Sequence, residues 1–252
     1  MAGVETIPRF AGAIPWLTTE QMVEVDRAMI EDYRIELIQM MENAGRALAQ
    51  VARARFLGGS PEGRRVRVLA GPGGNGGGAM VSARRLAAWG AEVEVFLSAD
   101  ENRITPVPQH QLDILRRMTL PVRKATEDRP EDVDLDLILD GIIGYSLKGA
   151  PRGPAKTLIE WTNSQTSPVL SLDAPSGVDT TTGHVYTPAI EATATMTLAL
   201  PKEGLRGPGI NTHVGELYLA DISVPPSLYA APALGLSVPA TLFASSDVVR
   251  LT

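Results

Sequence analysis

Six glycines fall within the eight positions Gly71–Gly78, and they enclose one polar side chain, that of Asn75. Gly71, Gly73 and Gly76 have the spacing G-x-G-x-x-G, and a short apolar run precedes them. Glycines let a backbone approach a phosphate closely, and a helix that starts here offers free N–H groups to it. So many glycines cost more conformational entropy to order than a simple turn requires. The pattern therefore favours a nucleotide-binding loop over a plain connection between a strand and a helix.

Polar side chains also follow two later apolar runs. Asp140 ends one run, Asp173 ends the next, and Ser176 comes three residues after Asp173. Open α/β sheets bind ligands outside the carboxyl ends of their strands, so these groups and Asn75 converge if the strands are neighbours. Their oxygens suit a hard cation, and a carboxylate at this place can transfer protons. Position alone is equally consistent with a structural role for Asp140 and Ser176, in a helix cap or a turn.

Composition limits the classes of protein to which the chain can belong. Its 252 residues are 44% hydrophobic and 21% charged, which is typical of a folded globular protein. The absence of cysteine excludes disulfides and thiolate metal sites and fits a reducing compartment. A net charge of −6 without a Lys/Arg-rich block argues against a nucleic-acid partner. No apolar run is long enough to cross a bilayer, and residues 1–15 lack the pattern of a signal peptide, so we expect a cytoplasmic protein without a membrane partner.

The elements that must position these groups alternate between strand and helix. Apolar runs predict strands at residues 66–70, 93–98, 122–124, 135–140, 169–173, 193–200 and 216–222. Helical spacing and helix-end signals predict helices at residues 19–32, 37–56, 79–89, 109–118, 154–163 and 245–251. This order predicts an α/β fold, a Rossmann-like three-layer αβα sandwich with a mostly parallel sheet. The first two helices are an addition before the first strand.

Four segments together resemble one known family. They are Met41–Arg46, the glycine loop, Asp140–Gly149 and Asp173–Gly177, and they stand in the order and spacing of the YjeF N-terminal domain family, which includes NAD(P)H-hydrate epimerases. The resemblance covers about residues 17–223. We therefore expect one domain over residues 1–252, with an irregular arm at residues 1–16 and a C-terminal wrap at residues 225–252.

The resemblance implies a function and a set of site residues. It implies a homodimer that interconverts the R and S hydrates of NADH and NADPH (NADHX and NADPHX) in cofactor repair and that binds K⁺. The implied potassium ligands are Asn75, Asp140 and Ser176, and Asp140 is also the expected catalytic group for proton transfer. The implied substrate contacts are Gly74, Asn75, Gly76, Gly77, Gly78, Gly144, Tyr145, Ser146, Leu147, Lys148, Gly149, Ala150 and Asp173.

The glycine loop departs from the family pattern at two positions, where Gly74 replaces an asparagine and Gly78 replaces an aspartate. The changes motivate an alternative, a non-catalytic nucleotide-binding or scaffold member of the same family. An NAD-dependent dehydrogenase fits the glycine spacing but leaves Asp140, Asp173 and Ser176 unexplained. Because the chain lacks the dehydratase domain that is often fused to this one, a separate NAD(P)HX dehydratase is the expected pathway partner. The preference between NADHX and NADPHX stays open.

Overall fold

An eight-stranded sheet forms the centre of the protein in its computed structural model, which describes residues 6–125, 130–207 and 209–251. In chain order the strands are β1 (Arg65–Ala70), β2 (Glu92–Leu97), β3 (Val122–Lys124), β4 (Leu137–Gly141), β5 (Val169–Leu172), β6 (Ala194–Leu198), β7 (Glu216–Ala220) and β8 (Val248–Arg250). Their order across the sheet is β3-β2-β1-β4-β5-β6-β7-β8. Neighbouring strands are parallel except for β7 and β8, which are antiparallel.

Helices cover the sheet. They are α1 (Thr19–Glu31), α2 (Leu37–Val51), α3 (Gly74–Ala88), α4 (Pro106–Arg117), α5 (Gly153–Asn163), α6 (Asn211–Val214) and α7 (Pro226–Tyr229), and α2 continues as a π-helical segment, Ala52–Phe56. One face of the sheet packs mainly on α2, α3 and α4, while the other carries α5 next to β1, β4 and β5. The predicted three-layer α/β architecture, with two extra helices before β1, is confirmed.

The first helix begins where its capping residues place it. Thr18 accepts a hydrogen bond from the Gln21 backbone N–H at 3.2 Å, and the Gln21 side chain accepts one from the Thr18 backbone N–H at 2.9 Å. This reciprocal pair satisfies two of the N–H groups that a helix start leaves open. The helix then buries Met22, Val25 and Met29. The cap and the buried side together fix which face of α1 points into the protein.

The start of α3 differs from the prediction. The sequence predicts a helix from residue 79, after the glycine loop, but α3 begins at Gly74. Glycine has a poor helix propensity, so the sequence favours a later start. Close packing overrides that preference, because a Cβ at Gly76 would lie 1.9 Å from the Gly71 carbonyl oxygen and a Cβ at Gly77 would lie 2.4 Å from Met41 Sδ. The second half of the glycine segment is therefore the first turn of a buried helix.

The chain ends also differ from their predictions. The sequence predicts a helix at residues 245–251, but Val248–Arg250 forms β8, whose valines pair with β7 and are buried. β-branched residues favour this extended pairing. From residue 6 the predicted irregular arm is largely irregular, although Arg9 forms a bridge with Arg250. Residues 1–5 and 252 of the predicted arm and wrap lie outside the described residues.

None of the helices in the described residues is long and apolar enough to span a bilayer.

Candidate active site

A cavity of about 500 Å³ opens at the point where the strand order reverses. Strand β1 has β2 on one side and β4 on the other. The sheet continues from β2 to β3 in one direction and from β4 to β8 in the other. The segments that leave β1 and β4, Pro72–Asn75 and Ile142–Ser146, form one side of the cavity. Helices α1 and α2 form the facing wall. Ligands of open α/β sheets bind at such a switch point, which makes this cavity the candidate active site.

Asn75 reaches the cavity from the first turn of α3. Its side-chain nitrogen is buried and has no hydrogen-bond partner in the described part of the chain. Gly144 lies beside it, and a Cβ there would come within 3.1 Å of both Asn75 Cγ and Asp173 Oδ2. The absence of a side chain at position 144 therefore keeps open a space between an amide and a carboxylate.

Asp140 and Ser176 form a fully buried cluster that is not part of the cavity lining. Asp140 Oδ1 accepts hydrogen bonds from Ser176 Oγ at 2.6 Å and from the Ile142 N–H at 3.2 Å. Asp140 Oδ2 accepts from Ser171 Oγ at 2.8 Å and from the Ser176 N–H at 2.9 Å. Burial raises the pKa of the Asp140 carboxyl, and these hydrogen bonds oppose the rise. The cluster ties the end of β4 to the turn after β5.

Asp173 lines the cavity and is held by a buried lysine. Its Oδ1 lies 2.5 Å from Lys202 Nζ, and its Oδ2 accepts a hydrogen bond from the Tyr145 N–H at 3.0 Å. Lys202 is 0% exposed and donates its other protons to Thr197 Oγ1 and to the Leu198 carbonyl. Asp173 has a φ of +67°, a conformation that aspartate and asparagine adopt more readily than most residues. The ion pair and the Tyr145 hydrogen bond fix the direction of the Asp173 carboxylate at the cavity.

A second carboxylate, that of Asp26, reaches the cavity from α1. The Tyr145 hydroxyl donates a hydrogen bond to Asp26 Oδ2. Burial raises the pKa of the Asp26 carboxyl, whereas the Tyr145 hydrogen bond and the charge of Lys202 act against the rise. Burial and the nearby Asp26 charge also raise the pKa of the Tyr145 hydroxyl. Tyr145 thus connects two acids, since its backbone N–H contacts Asp173 and its hydroxyl contacts Asp26.

The structure brings only part of the predicted site together around the cavity. Of the predicted substrate contacts, the cavity lining includes Gly74, Asn75, Gly144, Tyr145, Ser146 and Asp173. It does not include Gly76, Gly77, Gly78, Leu147, Lys148, Gly149 or Ala150. The predicted metal ligands are divided, because Asn75 lines the cavity while Asp140 and Ser176 lie beneath it. The roles of all these residues in binding and catalysis stay predictions.

Sequence reasoning missed two charged residues of the site and one of its walls. Asp26 and Lys202 are far from the glycine loop in the sequence, and no motif marks them. Met22 and Met40, which their helical spacing identifies as core, are buried and also form part of the apolar wall. The sequence carries one signal for Asp26. This charged residue lies on the helix face whose other members, Met22, Val25 and Met29, are apolar and buried.

The two glycines that depart from the family pattern occupy different environments. Nothing lies within 4 Å of a Cβ at Gly74, whereas a Cβ at Gly78 would lie 2.9 Å from Leu172 Cδ2 and 3.8 Å from Ala44 Cβ. We expect Gly78→Asp to lower the free energy of unfolding by about 2–3 kcal/mol, because it buries a carboxylate among apolar groups. Gly74→Asn is the matched control and should change it by less than about 0.5 kcal/mol. Urea denaturation measures both, and equal stability of the two variants would contradict the packing described for Gly78.

Comparison with known proteins gives one family and several relatives. The family model described as YjeF-related protein N-terminus matches residues 37–204. An NAD(P)H-hydrate epimerase of Dehalogenimonas lykanthroporepellens is 40% identical over 240 residues, which are 95% of this chain and 94% of that protein. The solved structure of yeast ynu0 is similar with a TM-score of 0.78 and 26% identity, over 94% of this chain and 100% of the yeast chain.

Two further relatives are longer proteins. Bifunctional NAD(P)H-hydrate repair enzymes of Salinibacter ruber and Moorella thermoacetica are 35% and 36% identical over 225 and 221 residues. These matches cover 84% and 85% of this chain but 41% of each relative. The chain therefore spans about two fifths of the length of the bifunctional enzymes.

Proposed function

The chain belongs to the family of YjeF-related protein N-termini, and we propose that it is an NAD(P)H-hydrate epimerase that interconverts the R and S forms of NADHX and NADPHX. The observation that carries this proposal is the similarity to an epimerase over nearly the whole of both chains. The cavity at the strand switch point, lined by Asn75 and Asp173, supports it. The reaction is an isomerisation, so it needs groups that bind the dinucleotide and move protons.

The cavity offers matching surfaces for a hydrated nicotinamide ring and the groups attached to it. Its volume of about 500 Å³ lies inside the range of about 300–1,000 Å³ that is typical of small-molecule sites. The helix wall is mainly apolar and suits the face of a ring, whereas Asn75 and Asp173 can hydrogen-bond to an amide or a hydroxyl. The start of α3 at Gly74 directs free backbone N–H groups to the same side, where they can bind phosphate.

Asp140 is the proton-transfer group that the family resemblance implies, and it keeps that role in the proposal. The four protein donors around its carboxylate take the positions at which such a group accepts hydrogen bonds. Direct proton exchange with a substrate therefore requires one of these hydrogen bonds to open. The bond from Ser176 Oγ is the best candidate, because the same hydroxyl also contacts the backbone of Ile143, a cavity residue.

Potassium fits the chemistry of Asn75, Asp140 and Ser176. All three side chains offer oxygen, which a hard cation prefers. Asp140 is a fully buried carboxylate whose contacts in the described residues are neutral donors, so a nearby monovalent cation would offset its charge. Direct coordination by an Asp140 oxygen would require one of its four hydrogen bonds to open, as proton transfer does. The buried, unpartnered amide nitrogen of Asn75 is consistent with an amide that turns its oxygen toward an ion. Bound there, K⁺ would supply positive charge next to Asp140 and the phosphate of the substrate.

The altered glycine loop gives little support to a non-catalytic scaffold. Gly78 is not itself part of the cavity lining, although a Cβ there would point to Leu172 and Ala44, which do line the cavity. Gly74 does line the cavity, and it begins α3, whose first backbone N–H groups can bind a phosphate whatever the side chain at this position. The dehydrogenase alternative rests on the glycine spacing alone, which the family match explains equally well.

Three further proposals accompany the activity. A dehydratase specific for the S form is the expected pathway partner. This proposal is supported by the longer relatives, which are called bifunctional NAD(P)H-hydrate repair enzymes. The proposal that the protein forms a homodimer rests on the family resemblance. A cytoplasmic location is supported by the absence of cysteine.

A coupled assay tests the activity. The purified chain is added to a fresh mixture of R and S NADHX with an S-specific dehydratase, in KCl or in NaCl. We expect the R fraction to disappear much faster than its spontaneous epimerisation allows, and faster in KCl. Consumption of the S fraction alone, with the R fraction decaying at the rate without the chain, would contradict the proposal.

A further inference from the structure

Three carboxylates lie in or next to the cavity, and they differ in how many of their oxygens are already engaged. Asp140 accepts four hydrogen bonds, and each oxygen of Asp173 has a protein donor. Asp26 has one partner, the Tyr145 hydroxyl on Oδ2, and its Oδ1 has no hydrogen bond with any described residue. Among the three, Asp26 therefore has the carboxylate oxygen that is most available to a bound molecule.

We propose that Asp26 is a second catalytic residue, which transfers a proton to and from the substrate hydroxyl at the helix wall of the cavity. This inference rests on the proposed epimerase activity. Inverting a carbon requires one group to leave from one face and return on the other, so proton-transfer groups are needed on two sides. Asp26 projects from α1, while Asp173 and the Asp140 cluster lie at the strand ends. The two sides of the cavity thus each carry a carboxylate.

The chemical step balances without an additional reagent. A hydrated nicotinamide ring bears its hydroxyl on a carbon bonded to the ring nitrogen. Asp26 gives a proton to that hydroxyl, the C–O bond breaks with its electron pair on the departing water, and the nitrogen lone pair forms a C=N⁺ bond. Water then adds to the opposite face of the carbon and gives a proton to the Asp140 carboxylate, once the hydrogen bond from Ser176 Oγ has opened. One proton is lost by Asp26 and one is gained at the strand ends, and exchange with solvent restores both.

The surroundings of Asp26 suit this role. The groups that face it are the Tyr145 hydroxyl from the loop after β4, Asp173 and Lys202 from the sheet side, and the buried Tyr229 hydroxyl from α7. Tyr145 donates to Oδ2, which leaves Oδ1 to carry the acidic proton. Because burial raises the pKa of Asp26, the acid form persists to a higher pH than in an exposed aspartate. The rate of the step in which Asp26 is the acid should therefore fall as the pH rises through this pKa.

The test compares Asp26→Asn with wild type in the conversion of purified R-NADHX to the S form across a range of pH. General acid–base catalysis contributes about 100-fold or more, so kcat should fall by at least that factor while KM changes by less than about threefold. The decline of wild-type activity toward higher pH should be absent from the residual activity of the variant. Glu20→Gln, which changes an exposed carboxylate on the same helix, is the matched control and should keep wild-type kcat.

Tyr145→Phe provides a second variant in which the carboxylate remains. It removes only the hydrogen bond to Oδ2, which lowers the pKa of Asp26, so the decline of activity should move to higher pH. The variant should also lower kcat less than Asp26→Asn does. An active wild type together with an Asp26→Asn variant that keeps kcat within threefold and the same pH profile would overturn the role of Asp26 and leave the epimerase intact. A folded wild type without any epimerisation would instead overturn the activity on which this role rests.

Discussion

Replacing Asp140 with alanine is expected to remove turnover and to lower the free energy of unfolding by about 3–5 kcal/mol. The variant leaves the N–H groups of Ile142 and Ser176 and the hydroxyls of Ser171 and Ser176 without their acceptor in a fully buried place. Each unsatisfied buried donor costs about 1–3 kcal/mol, although the two hydroxyls can turn to other acceptors. Urea denaturation measures the stability, and the R-to-S conversion of NADHX measures the turnover.

Ser171→Ala is the matched control for the structural part of this effect. It removes one hydrogen bond to Asp140 and leaves the carboxylate in place, so it should cost only about 1 kcal/mol. Circular dichroism at low temperature shows whether Asp140→Ala keeps its fold before activity is compared. Full activity in a folded Asp140→Ala protein would contradict the assignment of Asp140, and an unchanged urea midpoint would contradict the hydrogen-bond cluster.

Replacing Lys202 with methionine is expected to lower the free energy of unfolding by about 3–5 kcal/mol, because it leaves the Asp173 carboxylate buried without its counter-charge. Methionine retains most of the length of the side chain, so the loss of packing is small. Binding of NADHX should weaken in the same variant, since the direction of Asp173 at the cavity depends on the ion pair. Urea denaturation and the KM for NADHX are the two measurements.

The double variant Lys202→Met with Asp173→Asn separates the ion pair from other effects. The asparagine side chain introduced by Asp173→Asn would still accept from the Tyr145 N–H, and asparagine tolerates the positive φ at this position. The double variant should therefore be more stable than the sum of the two single losses predicts, by about 1–3 kcal/mol. Additive losses would show that Asp173 and Lys202 do not depend on each other, contrary to the geometry.

The central strands and the polar groups that follow them could be predicted because their signals are local. An apolar run followed by a polar residue identifies β4 with Asp140 and β5 with Asp173, and the parallel arrangement then places both at one edge of the sheet. The start of α3 could not be predicted in this way. Its first turn is helical because Gly76 and Gly77 pack against Gly71 and Met41, contacts that intrinsic helix propensity does not reveal.

The pairing of the charged groups inside the site could not be predicted from the sequence for a similar reason. Lys202 lies 29 residues from Asp173, and Asp26 lies 119 residues from Tyr145, so only the folded chain brings each pair together. The valines of β8 favour a strand, but a segment this short can also be predicted as the end of a helix. Only its pairing with β7 in the folded chain decides for the strand. The long-range contacts thus supply the part of the site that motifs leave out.

The most direct test measures the conversion of purified R-NADHX to the S form by the protein, with no dehydratase present. Chromatography that separates the R and S forms follows the reaction in KCl and in potassium-free buffer. We expect an approach to the R/S equilibrium at least about 100-fold faster than without protein, and a marked slowing when potassium is removed. A rate equal to that of the protein-free solution in both buffers, from a chain that circular dichroism shows to be folded, would contradict this expectation.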